Sequence, residues 1–109
     1  MPIDLNTIKR NEVENLNLMG TPFIQDDIAK LAAALASNTS IKKLDLSFCN
    51  LEDSEFELIA KAILKHPKLE LLDIGDNQLT NKSIQLLEEL AKLTNISEIK
   101  ARYNQFDVD

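Results

Sequence analysis

The stretch Leu69-Glu70-Leu71-Leu72-Asp73-Ile74-Gly75-Asp76-Asn77-Gln78-Leu79 decides the fold, because its frame of Leu69, Leu72, Ile74, Asn77 and Leu79 recurs along the chain. Upstream the frame reads Val13, Leu16, Leu18, Thr21, Phe23 and then Ile41, Leu44, Leu46, Cys49, Leu51. Downstream it reads Ile96, Ile99, Ala101, Asn104, Phe106, and successive units begin 28, 28 and 27 residues apart. Within each unit Leu16/Leu18, Leu44/Leu46, Leu72/Ile74 or Ile99/Ala101 alternate as a short strand does, which turns two side chains to one face. That face needs a cover. Ile28, Leu31 and Leu35, then Phe56, Ile59 and Ile63, then Ile84, Leu87 and Leu90 supply it, since their spacing of three to four residues is that of an amphipathic helix.

Strand followed by helix, repeated, predicts an α/β chain with parallel strands and a layer of helices. Stacked, such units curve into a solenoid with strands on the concave side and helices on the convex side. Asp53 and Asn81 stand where helix caps are expected, and Asp26, Asp27 and Glu55 put negative charge into first turns, where the helix dipole favours it. The column Thr21, Cys49, Asn77, Asn104 falls at the turn leaving each strand, where a buried side chain can bond neighbouring backbone.

The pattern L-x-x-L-x-L-x-x-N/C-x-L at this period resembles the leucine-rich repeat family, and its length and helical second half are most similar to the ribonuclease-inhibitor-like class. The resemblance runs from residue 13 to 106, with Thr21 as a departure in the first unit. It implies a short curved leucine-rich repeat solenoid that serves as a scaffold for binding a protein partner and not for catalysis, which is an argument by analogy of fold. Residues 1–12 then form an N-terminal capping segment, in which Ile3, Leu5 and Ile8 make a short helical turn started by Asp4, and residues 13–109 hold the repeats. The fourth unit passes into Asp107-Val108-Asp109 without a helix. Either Lys100, Arg102 and the acidic tail blunt that strand, or another molecule or a further segment covers it.

Composition narrows the function. At 109 residues, with 44% hydrophobic and 28% charged, the chain is the size of one domain. No apolar run approaches the roughly 18 residues of a membrane span, and the N-terminus lacks a signal core. The lone Cys49 cannot form an internal disulfide, which fits a reducing compartment and a cytoplasmic location, with a non-Sec exported effector as the other option. A formal charge of -6 opposes phosphate backbones and anionic membrane, so neither nucleic acid nor membrane is an expected partner. Two glycines and three prolines leave no Gly-rich loop for a nucleotide, and no cofactor is called for.

Few residues carry candidate chemistry. His66, ahead of Pro67, sits at a helix C-terminus, where a partly charged imidazole would complement the dipole. Cys49 occupies the turn column as a buried structural thiol. Asp45 and Asp73 share a column of adjacent strands; with Lys43 diagonal and Lys100 next in line they read as a solvated charge ladder in preference to a hard-cation site. The acidic run Glu52, Asp53, Glu55 and Glu57 reads as a solvated face. No catalytic or metal-ligating set emerges.

The concave side is sharper. Its outward columns are Asn15, Lys43, Leu71, Glu98; Asn17, Asp45, Asp73, Lys100; and Met19, Ser47, Gly75, Arg102. The adjoining turn holds Gly20, Phe48, Asp76 and Tyr103, and its two aromatics fall outside the core frame. Asp45, Phe48, Leu71, Asp73, Arg102 and Tyr103 are therefore the expected protein-binding residues, with a partly buried packing role as the alternative for Phe48. Two rival functions remain: assembly, as a structural unit or fragment whose open C-terminal end stacks on another chain, a homo-oligomer being one such case, and GTPase regulation, for which Arg102 alone is remotely placed to meet a phosphoryl group.

Overall fold

A computed structural model of the chain describes residues 4–93 and 95–106. The order is α1 (Leu5–Lys9), β1 (Asn15–Asn17), α2 (Asp27–Ser37), β2 (Lys43–Asp45), α3 (Asp53–Ile63), β3 (Leu71–Asp73), a 3₁₀ turn (Asn81–Ser83) running into α4 (Ile84–Leu93), and β4 (Glu98–Lys100). The four strands form one parallel sheet in sequence order. Asn15 pairs with Lys43, Lys43 with Leu71 and Leu71 with Glu98, so the repeat frame is the sheet register.

The same backbone bond recurs at each strand exit: the N–H groups of Leu18, Leu46 and Ile74 donate to the carbonyls of Asp45, Asp73 and Lys100, each at 2.8 Å. Strands of three residues suffice because these bonds continue the pairing past the strand ends. Leu44 and Leu72, at the centres of the inner strands, are fully buried, whereas Leu16 and Ile99 on the outer strands are half-buried. The difference follows from stacking, since an outer strand has a neighbouring unit on one side only.

Between sheet and helices lies one core, with Leu31 and Leu35 of α2 and Phe56, Ile59 and Ile63 of α3 against Leu44, Leu46, Leu72 and Ile74. Among the described side chains of α4 only Leu90 is fully buried, and Leu86 and Leu87 pack against the core while half-buried. At the other end Asp4 caps α1, its Oδ1 accepting from the Asn6 N–H at 2.9 Å, and Ile8 is fully buried in the core shared with α2. Ile3 of the expected helical turn lies outside the described residues, as does the acidic tail from Asp107.

Two expected caps are displaced by one residue. The cap of α3 is Glu52, which forms a reciprocal capping box with Glu55, the Glu55 carboxylate accepting from the Glu52 N–H at 3.0 Å. Asp53 is instead the first helical residue, and its carboxylate reaches into the next unit: Oδ1 accepts from the Thr80 N–H at 2.9 Å and the Ser83 hydroxyl at 2.6 Å, and Oδ2 from the Thr80 hydroxyl at 2.6 Å. Thr80, not Asn81, caps the 3₁₀ turn. Burial alone would raise the Asp53 pKa, but the hydrogen bonds from Ser83 and Thr80 and the charge of Lys82 outweigh it and hold the carboxyl below its ordinary value. The acidic run is thus a capping box and an inter-repeat staple, and not merely a solvated face.

Inside the turns, Asn77 replaces the backbone pairing that a tight bend gives up. Its Oδ1 accepts from the N–H groups of Cys49 and Leu51 in the preceding unit, and its Nδ2 donates to the carbonyls of Leu46, Ile74 and Gly75. Asn104 repeats the pattern one unit later, with Oδ1 accepting from Leu79 N–H and Nδ2 donating to the Ile74 and Ala101 carbonyls. Cys49 in the same column donates its thiol toward the Leu18 carbonyl at 3.1 Å.

His66 departs from expectation. Its ring is buried, with Nδ1 accepting from the N–H groups of Lys68 and Leu69, both at 3.1 Å, which leaves the proton on Nε2 facing Asn38 Oδ1 at 3.0 Å. The imidazole is therefore neutral and does not serve as a charged complement to the helix dipole; burial lowers its pKa. Asn38 in turn donates from Nδ2 to the Ile8 carbonyl at 2.8 Å, so this network ties α1, the first connection and the second into one column.

Candidate functional site

The strand exits build the exposed face. At each of the first three, a side chain at the strand end folds back onto the backbone two residues on: Asn17 Oδ1 accepts from Met19 N–H at 3.0 Å, Asp45 Oδ1 from Ser47 N–H at 2.9 Å, and Asp73 Oδ1 from Gly75 N–H at 2.9 Å. Asp45 Oδ1 also accepts from the Ser47 hydroxyl at 2.6 Å. These half-buried carboxylates hold their own turns, which revises the expected solvated ladder: they are fixed acceptors on the concave rim.

The next residue of every unit turns left-handed. Gly20, Phe48, Asp76 and Tyr103 have φ of 73, 56, 54 and 61°. Gly and Asp accept that conformation readily, whereas a bulky aromatic does so at a cost. Both aromatics also project into solvent, Phe48 being 59% and Tyr103 69% exposed. Arg102 lies over the Tyr103 ring, with its guanidinium carbon 5.3 Å from the centroid and Nη2 donating to the hydroxyl at 3.3 Å.

Phe48, Asp45, Asp73, Arg102 and Tyr103 come together around one open cavity of about 290 Å³ at the strand exits. Leu71 does not join them. It is half-buried in the middle of a second, adjoining concave groove of about 310 Å³, with Lys43 and Lys100 among its walls. Five residues outside the expected set line the first cavity as well: Met19, which is 55% exposed, Ser47, Gly75, Asp76 and Lys100. Their signal in the sequence is their column, since each is the repeat equivalent of a residue already in the set.

Chemistry of the catalytic kind has little purchase on the two reactive side chains. Burial raises the Cys49 thiol above its ordinary value, with the Asp45 charge adding to it, and His66 has both ring nitrogens engaged inside the core. No helix among the described residues is long and apolar enough to cross a membrane.

Comparison with known proteins agrees with this geometry. A family profile described as Leucine Rich repeat matches residues 37–54 and 65–87. Human NACHT, LRR and PYD domains-containing protein 13 is 30% identical over 98 residues, which is 89% of this chain and 9% of that protein. Rat and human leucine-rich repeat-containing protein 73 are each 40% identical over 73 residues, or 67% of this chain and 23% of theirs. The chain therefore spans less than a quarter of these curated relatives. Among solved structures, leiomodin-1 actin-binding site 2 superposes with a TM-score of 0.81 at 20% identity, covering 92% of this chain and 60% of that one. The Caenorhabditis elegans tropomodulin C-terminal domain gives 0.78 at 24% identity, covering 89% and 60%. At such identities the likeness is one of fold. Four units in register, the matching profile and the repeat-bearing relatives together make this chain a member of the leucine-rich repeat family.

Proposed function

We propose that this chain is a non-catalytic protein-interaction module of the ribonuclease-inhibitor-like class, which binds a protein partner through its strand exits and the concave strands beside them. One observation carries the reading: Phe48 and Tyr103 are held both exposed and left-handed where their sister units have Gly20 and Asp76. An aromatic there gains nothing for the core and costs backbone strain, so its benefit lies in contact with another molecule. Asp45, Asp73 and Arg102 form the polar surround of the two rings, and Leu71 adds an apolar floor in the adjoining groove. The unpaired, buried Cys49 fits an intracellular setting. One solved neighbour is an actin-binding site, which makes actin a first partner to test.

Site-specific photo-crosslinking tests the face. Benzoylphenylalanine at position 48 or 103, in lysate from the source organism and with added actin, is expected to capture the same species, while the same group at Leu58 on the convex side captures none of it. Capture from position 58 alone would overturn the assignment.

A further inference from the structure

We propose that the cavity between Phe48 and Tyr103 is a receptor for a single cationic side chain, a lysine or arginine in an extended basic segment of a protein partner. This deepens the reading just given and rests on it. The two rings stand on the second and fourth units, two strand spacings apart, which is roughly 10 Å. A cation seated midway would lie about 5 Å from each ring, within the range at which an aromatic face attracts it.

Between the rings the third unit contributes Gly75 and Asp76. Gly75 leaves the floor without a side chain: a Cβ there would lie 3.2 Å from both the Arg102 carbonyl oxygen and Asp73 Oδ1. Over that floor Asp76 stands in the same column as the rings, and Asp45 and Asp73 line the cavity from the strand side. Phe48 and Tyr103 thus make two walls, and the three carboxylates share the remainder with Met19, Ser47, Lys100 and Arg102.

Charge decides the occupant. Against the three carboxylates stand Lys100 and Arg102, and Arg102 is already engaged with the Tyr103 ring and hydroxyl. That contact shows the ring taking a cation on one face. The balance inside the cavity is negative, as is the chain as a whole at -6, so a basic segment is drawn in and an acidic one repelled. An apolar side chain would cover the charges of Asp45, Asp73 and Asp76 and bring no counter-charge to them.

The test uses the full chain, labelled with ¹⁵N, titrated with one Gly/Ser-flanked peptide carrying lysine, arginine, leucine or glutamate at its centre. At millimolar peptide the lysine and arginine versions are expected to shift the amides of Phe48, Asp76 and Tyr103, with the effect fading as salt is raised. Asp76→Asn keeps the size and tolerates the left-handed turn, and is expected to weaken the lysine peptide about three- to fivefold. Phe48→Ala should weaken it by a similar factor. Equal or larger shifts with leucine or glutamate, or no shift at these three amides with any peptide, would overturn the proposal. In that event crosslinks retained at positions 48 and 103 leave the wider binding face standing, whereas their loss removes it as well.

Discussion

At the scale of single residues, three side chains do work that their types alone do not announce. Asn77 closes the second and third turns with one amide, Asp53 staples two units with one carboxylate, and His66 accepts hydrogen bonds from two backbone N–H groups at one ring nitrogen. The last has a pH consequence. The folded state holds His66 below its ordinary value of 6.5, and it is the only histidine. Above that value both folded and unfolded chains carry a neutral ring and its contribution to stability is complete. As pH falls below 6.5 the unfolded chain takes up the proton first, and stability is lost until the folded-state pKa is passed. The melting temperature should therefore drop as pH falls from neutrality through this window below 6.5, and His66→Gln should lose most of that dependence. A wild-type profile flat across this window would contradict the neutral assignment. Asp53 acts elsewhere: its lowered pKa contributes stability above its ordinary value of 3.8 that disappears only as pH falls through the still lower folded value.

At the scale of elements, each strand and helix exists because of its neighbours. Three-residue strands and helices of 10 or 11 residues are marginal alone, and the stack supplies the apolar contact that holds them. Leu72, fully buried at the centre of β3, should cost about 2–5 kcal/mol when replaced by Ala, whereas Leu58→Ala on the solvent face of α3 should stay within about 0.5 kcal/mol. Chemical denaturation of both variants checks this, and a silent Leu72→Ala would mean that the strand register is wrong. The elements were legible in the sequence because apolar spacing reports directly on which face is covered: every strand pair falls in the register that Leu16, Leu44, Leu72 and Ile99 predict. Caps were less legible. Asp53 has the residue type of a cap, but whether a carboxylate turns to its own helix or to the next unit depends on Thr80 and Ser83, which a local reading does not bring near. For the same reason His66 read as a partly charged group at a helix end: its partner Asn38 lies 28 residues away. Of the candidate site, the columns were readable, but the exposure and left-handed turns of Phe48 and Tyr103 were not, because spacing fixes a residue's face and not its depth or φ.

At the scale of the molecule, the described chain is a flat slab of 43 × 29 × 17 Å in which each unit touches its sequence neighbours. Stability in such a stack is a sum of unit and junction terms, so damage stays local before it spreads. Ile8→Ala, in the helix packed on α2, should cost about 2–5 kcal/mol and speed amide exchange in the first unit more than in the third. Uniform acceleration across all units would show instead that the stack unfolds as one. The same geometry sets all four strand exits on one rim, which is how residues 55 positions apart, Phe48 and Tyr103, come to wall a single cavity. The central claim is that these rings are held for a partner and at the expense of the backbone. Its most direct test is the melting temperature of the Phe48→Gly/Tyr103→Gly double variant. Glycine relieves two left-handed turns, so the melting temperature should equal or exceed that of the parent chain. A fall of roughly 4 °C or more, equivalent to about 1 kcal/mol in a domain of this size, would mean that the rings hold the fold together and would contradict the account.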